Sequence, residues 1–157
     1  MYHVTSASDI DAIQEEGIKS RGIPDYYSPR YEIDRVADKI GFERDTNWVA
    51  RVDGVYFWNS KEQARANTQY TDLYDRIIEV DPSAIPSRIW MLPHDEWEAL
   101  YQSLDRPSNI EQGTNAWEQI AEVVEMAEQY TGNSRGNVEL WTSPPVPSSA
   151  ITDIHEI

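Results

Sequence analysis

The segment Gly54-Val55-Tyr56-Phe57 combines β-branched and aromatic residues directly after a possible turn, and this combination predicts a strand. Ser60 follows with a glutamine three positions later, the spacing of a helix-capping box, so a short helix is expected next. Ala64 lies within that helix, and Tyr70 follows its end. The segment therefore predicts a strand that contains Tyr56 and a helix that Tyr70 follows.

The opening residues Tyr2-His3-Val4-Thr5 predict a second strand. Side chains alternate between the faces of a strand, so His3 and Thr5 share the face opposite Tyr2 and Val4. A short helix is expected to follow and to stop at Gly17, with Ile18 folding back onto Ile13.

The segment Val138-Glu139-Leu140-Trp141 predicts a late strand, followed by a proline-rich turn and a last short strand around residues 151–154. Alternation places Glu139 on the face opposite Val138 and Leu140. A carboxylate among apolar neighbours in a strand is less routine than one on a helix, so Glu139 is a candidate functional residue.

The rest of the chain predicts further helices and strands, without repeats or a linker long enough to divide domains. The longest expected helix begins at Thr114 and stops at Gly132. Four of its residues are expected to face inward, namely Trp117, Ile120, Ala121 and Val124. We therefore expect one α+β domain that spans residues 1–157.

In this order, the three quoted patterns resemble the ADP-ribosyltransferase superfamily. They are most similar to its His–Tyr–Glu branch, which holds diphtheria-toxin-type enzymes and poly(ADP-ribose) polymerases. The opening strand, the helix and Glu16-Gly17-Ile18 also resemble the start of DNA-targeting ADP-ribosyltransferase toxins and of RNA 2′-phosphotransferases. The resemblance implies split, mainly antiparallel β-sheets with flanking helices and a cleft that holds NAD in a bent pose.

The resemblance also implies a role for each candidate residue. His3, with Thr5, would hydrogen-bond the ribose hydroxyls of NAD. Tyr56 and Tyr70 would stack on nicotinamide, and Glu139 would engage the nicotinamide ribose as the catalytic residue. The implied activity is transfer of ADP-ribose from NAD to an unknown macromolecular acceptor, or NAD hydrolysis, and it needs no metal.

Elementary chemistry is consistent with these roles, because loss of nicotinamide leaves positive charge on the ribose, which a fixed carboxylate stabilises. Each residue also has a purely structural alternative. In that alternative, His3 is an ordinary histidine near the terminus, the two tyrosines are core aromatics, and Glu139 is one of many acidic residues. His94 and His155 are expected to have no catalytic role.

Composition limits the remaining possibilities. The chain has no cysteine, which excludes disulfides, thiolate metal sites and cysteine nucleophiles. Its 28 acidic and 13 basic residues give a formal net charge of −15, which argues against general binding to a nucleic-acid backbone. The acidity fits adaptation to concentrated salt, which we favour, or a decoy for basic proteins.

The alternative to an enzyme is a non-catalytic acidic interaction protein on the same fold, with a basic partner. No apolar run approaches the ~18 residues of a membrane-spanning helix, and no signal peptide is evident. We therefore expect a cytoplasmic protein with no membrane partner.

Overall fold

The described part of the chain, residues 1–20, 29–68, 72–104 and 114–157 of a computed structural model, folds as a β-sheet flanked by helices. None of the helices in these ranges is long and apolar enough to cross a membrane. The strands are β1 (Tyr2–Thr5), β2 (Val55–Trp58), β3 (Arg76–Val80), β4 (Ile89–Pro93), β5 (Glu128–Gln129), β6 (Val138–Thr142) and β7 (Ile151–Glu156). The α-helices are α1 (Ile10–Glu16), α2 (Pro29–Arg44), α3 (Lys61–Thr68), α4 (His94–Ser103) and α5 (Thr114–Glu125).

The seven strands form one sheet in the order β5-β4-β6-β2-β1-β3-β7, and every neighbouring pair is antiparallel. The predicted α+β class is confirmed. The strands do not form two separate sheets, but the sheet narrows at its centre. There β1 and β2 share a single register pair, Tyr2 with Trp58, whereas β1 and β3 are paired along their whole length. We call this narrow junction the seam.

One face of the sheet packs against α2, α4 and α5. A cluster of three indole rings lies in this core: the centroid of Trp48 is 5.2 Å from that of Trp90 and 5.3 Å from that of Trp141, and Trp90 is 6.5 Å from Trp141. Gly41 permits this packing, because a Cβ at that position would lie 2.2 Å from the Trp48 ring. Glycine is therefore required where α2 approaches the cluster.

The opposite face holds a second core, which includes Phe57, Ile78 and Leu140 and which α1 covers. The predicted helix stop at Gly17 is confirmed, since its φ of 83° suits glycine and its amide donates to the Ile13 carbonyl at 2.9 Å. Ile18 is buried in the same core as Ile13.

Helix α5 differs from its prediction in length and orientation. It ends at Glu125, because residues 128–129 pair with β4 as an edge strand instead of continuing the helix to Gly132. Its buried residues are Ala116, Ile120, Val123 and Val124. This stripe shares Ile120 and Val124 with the predicted one, but it excludes Trp117, which is 37% exposed with the Lys39 ammonium 5.2 Å from its ring centroid.

We expect Trp117→Ala to lower the free energy of unfolding by about 1 kcal/mol or less. The indole is not part of the buried core, and the variant loses mainly an exposed cation–π contact. Ile120 is fully buried, and Ile120→Val should cost a similar ~0.5–1.5 kcal/mol although it removes one methylene. Urea unfolding of both variants tests this. A loss of 3 kcal/mol or more for Trp117→Ala would place the ring in the core.

The outer face of α5 carries three exposed acids, Glu118, Glu122 and Glu125. Like charges four residues apart destabilise a helix, and salt screens their repulsion. Together with the net charge of −15, this predicts that the melting temperature rises from about 0.1 M to molar salt, over which the screening length falls from ~10 Å to ~3 Å. Calorimetry across that range is the measurement, and a constant melting temperature would contradict the prediction.

Candidate functional site

A cleft of about 400 Å³ opens along the seam, lined by residues of β1, β2, α2, β6 and the loop before β2. His3, Tyr56 and Glu139 all line it, although they are far apart in the sequence. The volume falls within the range of small-molecule sites, ~300–1,000 Å³. The fold therefore brings three of the predicted site residues to one cavity.

His3 lies where β1 and β2 diverge beyond the single register pair. Its Nδ1 is 2.8 Å from the carbonyl oxygen of Tyr56. A carbonyl oxygen only accepts hydrogen bonds, so we assign the hydrogen to Nδ1, which makes Nε2 an acceptor in the neutral ring. The ring also packs against Phe57, with the centroids 5.7 Å apart. These contacts fix the orientation of His3 at the cleft wall.

Tyr56 shares a sheet face with Trp58 and Glu139, because β2 pairs with β6 through Tyr56–Trp141 and Trp58–Glu139. Its hydroxyl donates a hydrogen bond to the Arg51 carbonyl oxygen, which fixes the ring. Burial, with the nearby Asp34 carboxylate, raises the pKa of the Tyr56 phenol well above its usual value. Tyr56 is thus a neutral, fixed aromatic side chain.

Arg51 lies at the floor of the cleft with its side chain 1% exposed. Its guanidinium packs against the rings of Trp97 and Trp141, with Cζ 4.3 and 4.5 Å from the ring centroids. Nε donates to Asp34 Oδ1 at 3.0 Å, and Nη2 donates to Glu139 Oε1 at 2.5 Å. One arginine therefore joins two carboxylates from distant parts of the chain.

Asp38 holds the loop that presents Arg51. Its carboxylate accepts hydrogen bonds from Trp48 Nε1 at 3.0 Å and from the backbone amides of Arg51 and Val52 at 2.6 and 3.0 Å. Asp34 and Asp38 are four residues apart on α2, so they project from the same side of the helix. Helix α2 thus binds the arginine side chain through Asp34 and its backbone through Asp38.

Glu139 is buried in β6 and is held in the ionised form. Burial alone would raise the pKa of its carboxyl, but Arg51 and His94 outweigh this and lower the pKa to about 2. His94 begins α4, and its Nδ1 is 3.6 Å from Glu139 Oε2. The His94 ring also packs edge-on against Trp58, with the centroids 4.7 Å apart. At neutral pH the cleft therefore contains a fixed negative charge at Glu139.

Asp34 responds to the same environment in the opposite direction. Burial raises the pKa of its carboxyl, and Arg51 offsets this only in part because Glu139 adds a repulsion. The two carboxylates on Arg51 are therefore unequal, with Glu139 the stronger acid.

The other two predicted cofactor-binding residues are Thr5 and Tyr70. Thr5 is buried and absent from the cleft lining, and its hydroxyl donates to Asp9 Oδ2 at 3.3 Å. Tyr70 lies outside the described residues.

The mouth of the cleft carries positive charge. Lys19 and Arg30 line it, and both side chains are substantially exposed. Lys19 pairs with Glu16, and Arg30 lies 3.5 Å from Glu98. Such exposed pairs contribute little to stability, so both cations are available to a bound anion at low cost.

The residues that organise the site, Arg51, Asp34 and His94, were not predicted. Arg51 has a local signal, since it is the one charged residue in the run Trp48-Val49-Ala50-Arg51-Val52. An arginine in such a run requires a buried anionic partner. Asp34 and Asp38 have only their spacing as a signal.

A group of residue types that can ligate a metal lies outside the cleft, with Glu79 on β3 and Asp153 and His155 on β7. His155 Nε2 is 3.2 Å from Glu79 Oε2 and 3.6 Å from Asp153 Oδ2. The Asp153 carboxylate is exposed and that of Glu79 is partly exposed, and such acidic groups are common without a metal ion. The group does not contribute to the site described above.

Comparison of the chain with protein-family models, with curated proteins and with solved structures finds no match.

Proposed function

We propose that the cleft binds NAD and that the protein transfers ADP-ribose from NAD to a macromolecule, or to water, with release of nicotinamide. The observation that carries this proposal is that His3, Tyr56 and Glu139, the residues of the sequence resemblance, line one cleft. Neighbours in the sheet order β6-β2-β1 supply them, and the cleft follows the seam between two of these strands.

The charges in the cleft suit the chemistry. When nicotinamide leaves, positive charge develops on the ribose carbon, and a fixed carboxylate stabilises that state more than it stabilises bound NAD. The pKa of Glu139 lies well below neutral pH, so the carboxyl group is ionised. The hydrogen bond from Arg51 fixes its orientation. Arg51, Asp34 and Glu139 together carry a net charge of −1 when all are ionised, so the floor of the cleft favours a cation.

The walls and mouth of the cleft suit the rest of the cofactor. Lys19 and Arg30 provide cations for the diphosphate. Tyr56 provides a fixed aromatic ring, and Trp58 beside it is a further aromatic wall residue. His3 lines the same cleft, and its imidazole is a group that can hydrogen-bond a ribose hydroxyl. The diphosphate, the nicotinamide ring and a ribose thus each have a chemically matched group.

The direct test is NAD binding and nicotinamide release by purified wild-type protein in molar salt. NAD at 100 times its dissociation constant should stabilise the protein by about 2.7 kcal/mol, seen as a rise in melting temperature. Nicotinamide release is measured by chromatography with water, protein, DNA or RNA as the acceptor. Absence of both binding and release would reject the enzyme.

The alternative proposal is an acidic protein that binds a basic partner without catalysis. The net charge of −15 favours it, because a uniform negative field attracts cationic surfaces. The two proposals predict a different dependence of binding on salt concentration. A basic partner should dissociate as the salt concentration increases, whereas NAD binding in a cleft should persist.

A further inference from the structure

We infer that Asp34 is the general base of the cleft, the group that takes the proton from the acceptor as its oxygen attacks the ribose carbon of NAD. This inference rests on the proposed function and deepens it, since it assigns the second half of the reaction to a residue on α2. Glu139 would stabilise the cation, and Asp34 would activate the nucleophile that captures it.

The geometry distinguishes Asp34 from the groups around it. The Asp34 side chain is 12% exposed at the cleft wall, compared with 6% for Glu139 and 1% for Arg51, so it is the most accessible of the three. Asp34 Oδ1 accepts from Arg51 Nε, which fixes the carboxylate. A positioned and accessible carboxylate is what proton transfer requires.

The second oxygen of Asp34 keeps its capacity to accept a proton. Among the described residues, its one side-chain hydrogen-bond partner is the Tyr56 hydroxyl, 3.4 Å from Oδ2. That hydroxyl has a single hydrogen, and its closer partner is the Arg51 carbonyl oxygen. Lone pairs on Oδ2 therefore remain for a hydroxyl group or a water molecule in the cleft.

The two carboxylates that pair with Arg51 also differ in their pKa shifts. Burial and Glu139 raise the pKa of Asp34, whereas Arg51 and His94 keep Glu139 ionised. Pairs of titratable groups pushed apart in this way mark acid–base assignments, and a base works best with a pKa nearer the operating pH. Asp34 fits the group that exchanges a proton, and Glu139 fits the group that does not.

The step balances as follows. The glycosidic bond between the ribose carbon and the nicotinamide nitrogen breaks, and its electron pair goes to the nitrogen, which leaves neutral nicotinamide. The acceptor oxygen forms a bond to the same carbon and loses its proton to Asp34 Oδ2. With water as the acceptor, the products are ADP-ribose and nicotinamide, and Asp34 then releases the proton to solvent.

The test uses Asp34→Asn, which keeps the hydrogen bond to Arg51 and removes the base. With water as the acceptor, nicotinamide release should fall by about 10²-fold, within the range of general-base catalysis. Azide is an anionic nucleophile with no proton to lose, so sodium azide should restore the rate on the order of tenfold or more and yield ADP-ribosyl azide, identified by mass spectrometry. Sodium sulfate supplies the molar salt, because sulfate is a poor nucleophile.

The pH profile gives a second readout. In the wild type, the rate should rise with pH as Asp34 loses its proton, and this rise should disappear in Asp34→Asn. Among the described residues, the charged and titratable groups around Asp34 are Arg51, Glu139, Arg30 and Tyr56, and the same cleft is lined by His3 and Lys19. Glu139 stays ionised and burial keeps Tyr56 protonated, so neither accounts for a rise that Asp34→Asn removes, and the loss of the rise in this variant assigns it to Asp34.

The outcomes separate this inference from the proposed function. Glu139→Gln should not be rescued by azide, because a nucleophile does not replace lost charge stabilisation, and Asp11→Asn on the exposed face of α1 is the matched control. An unchanged rate in Asp34→Asn, or a loss with no azide rescue and an unaltered pH profile, overturns the role of Asp34 alone. If the wild type releases no nicotinamide with any acceptor, the proposed function fails and this inference fails with it.

Discussion

Replacing Arg51 with methionine is expected to lower the free energy of unfolding by about 3–5 kcal/mol at pH 7. The substitution keeps apolar contact with Trp97 and Trp141 but leaves Asp34 and Glu139 buried without their shared cation. Removing one partner of a buried ion pair costs this much free energy because the remaining charge is desolvated and no longer has a compensating ion pair. Urea unfolding in molar salt measures the loss.

The triple variant Arg51→Met, Asp34→Asn, Glu139→Gln tests the cause. With no charge left to compensate, most of the stability should return, since an apolar replacement of a whole buried ion cluster is often neutral. The loss in the single variant should also shrink in acid, where protonated carboxyl groups need no cation. Arg35→Met is the matched surface control, because Arg35 pairs with Glu32 at 54% exposure and should cost no more than ~1 kcal/mol. A loss below 1 kcal/mol for Arg51→Met would contradict its central position in the fold.

Replacing Glu139 with glutamine is expected to reduce turnover of NAD by at least ~10²-fold, equivalent to about 2.7 kcal/mol of lost transition-state stabilisation. NAD binding should change much less, because the interaction strengthens only as positive charge develops on the ribose. Nicotinamide release and calorimetric binding measure the two quantities, below the melting temperature of the variant, since Glu139→Gln also removes one anion from Arg51.

His3→Ala should behave differently and weaken NAD binding as well as turnover, because in the proposed complex the imidazole would contact the ribose before any reaction occurs. Glu156→Gln is the matched control for charge, since Glu156 is an exposed glutamate at the end of β7. Equal losses of binding and turnover in Glu139→Gln would show that this residue contributes to binding in general and not to the charged transition state.

Local sequence patterns correctly predict a strand or a helix end where the residues that determine it all lie in one short segment. The Gly17 stop, the strand from Tyr2 to Thr5 and the strand at Glu139 all follow from neighbouring residues. Their meeting at one cleft does not, because it depends on the strand order of the sheet. The patterns in their order nevertheless led to His3, Tyr56 and Glu139, which all line the one cleft.

The failures have physical causes. Trp117 and Ala116 both fit a helical stripe, and only packing against α2 decides which one is buried. Arg51 was missed because its role depends on partners 17 and 88 residues away. The residues near His94 in sequence indicate neither Glu139 nor Trp58, so they predict no role for this histidine. Long-range charge partners are therefore the part of this site that a single sequence does not display.

The indole cluster in the first core has a consequence for spectroscopy. Trp48, Trp90 and Trp141 lie with centroids 5.2–6.5 Å apart at fixed angles, close enough for their electronic transitions to couple. Coupled indoles add a circular-dichroism signal of their own in the region used to measure helix content. That signal disappears when the rings separate, so it reports loss of tertiary packing. Trp141 also contacts Arg51, and the same signal therefore serves as an intrinsic probe of the cleft floor.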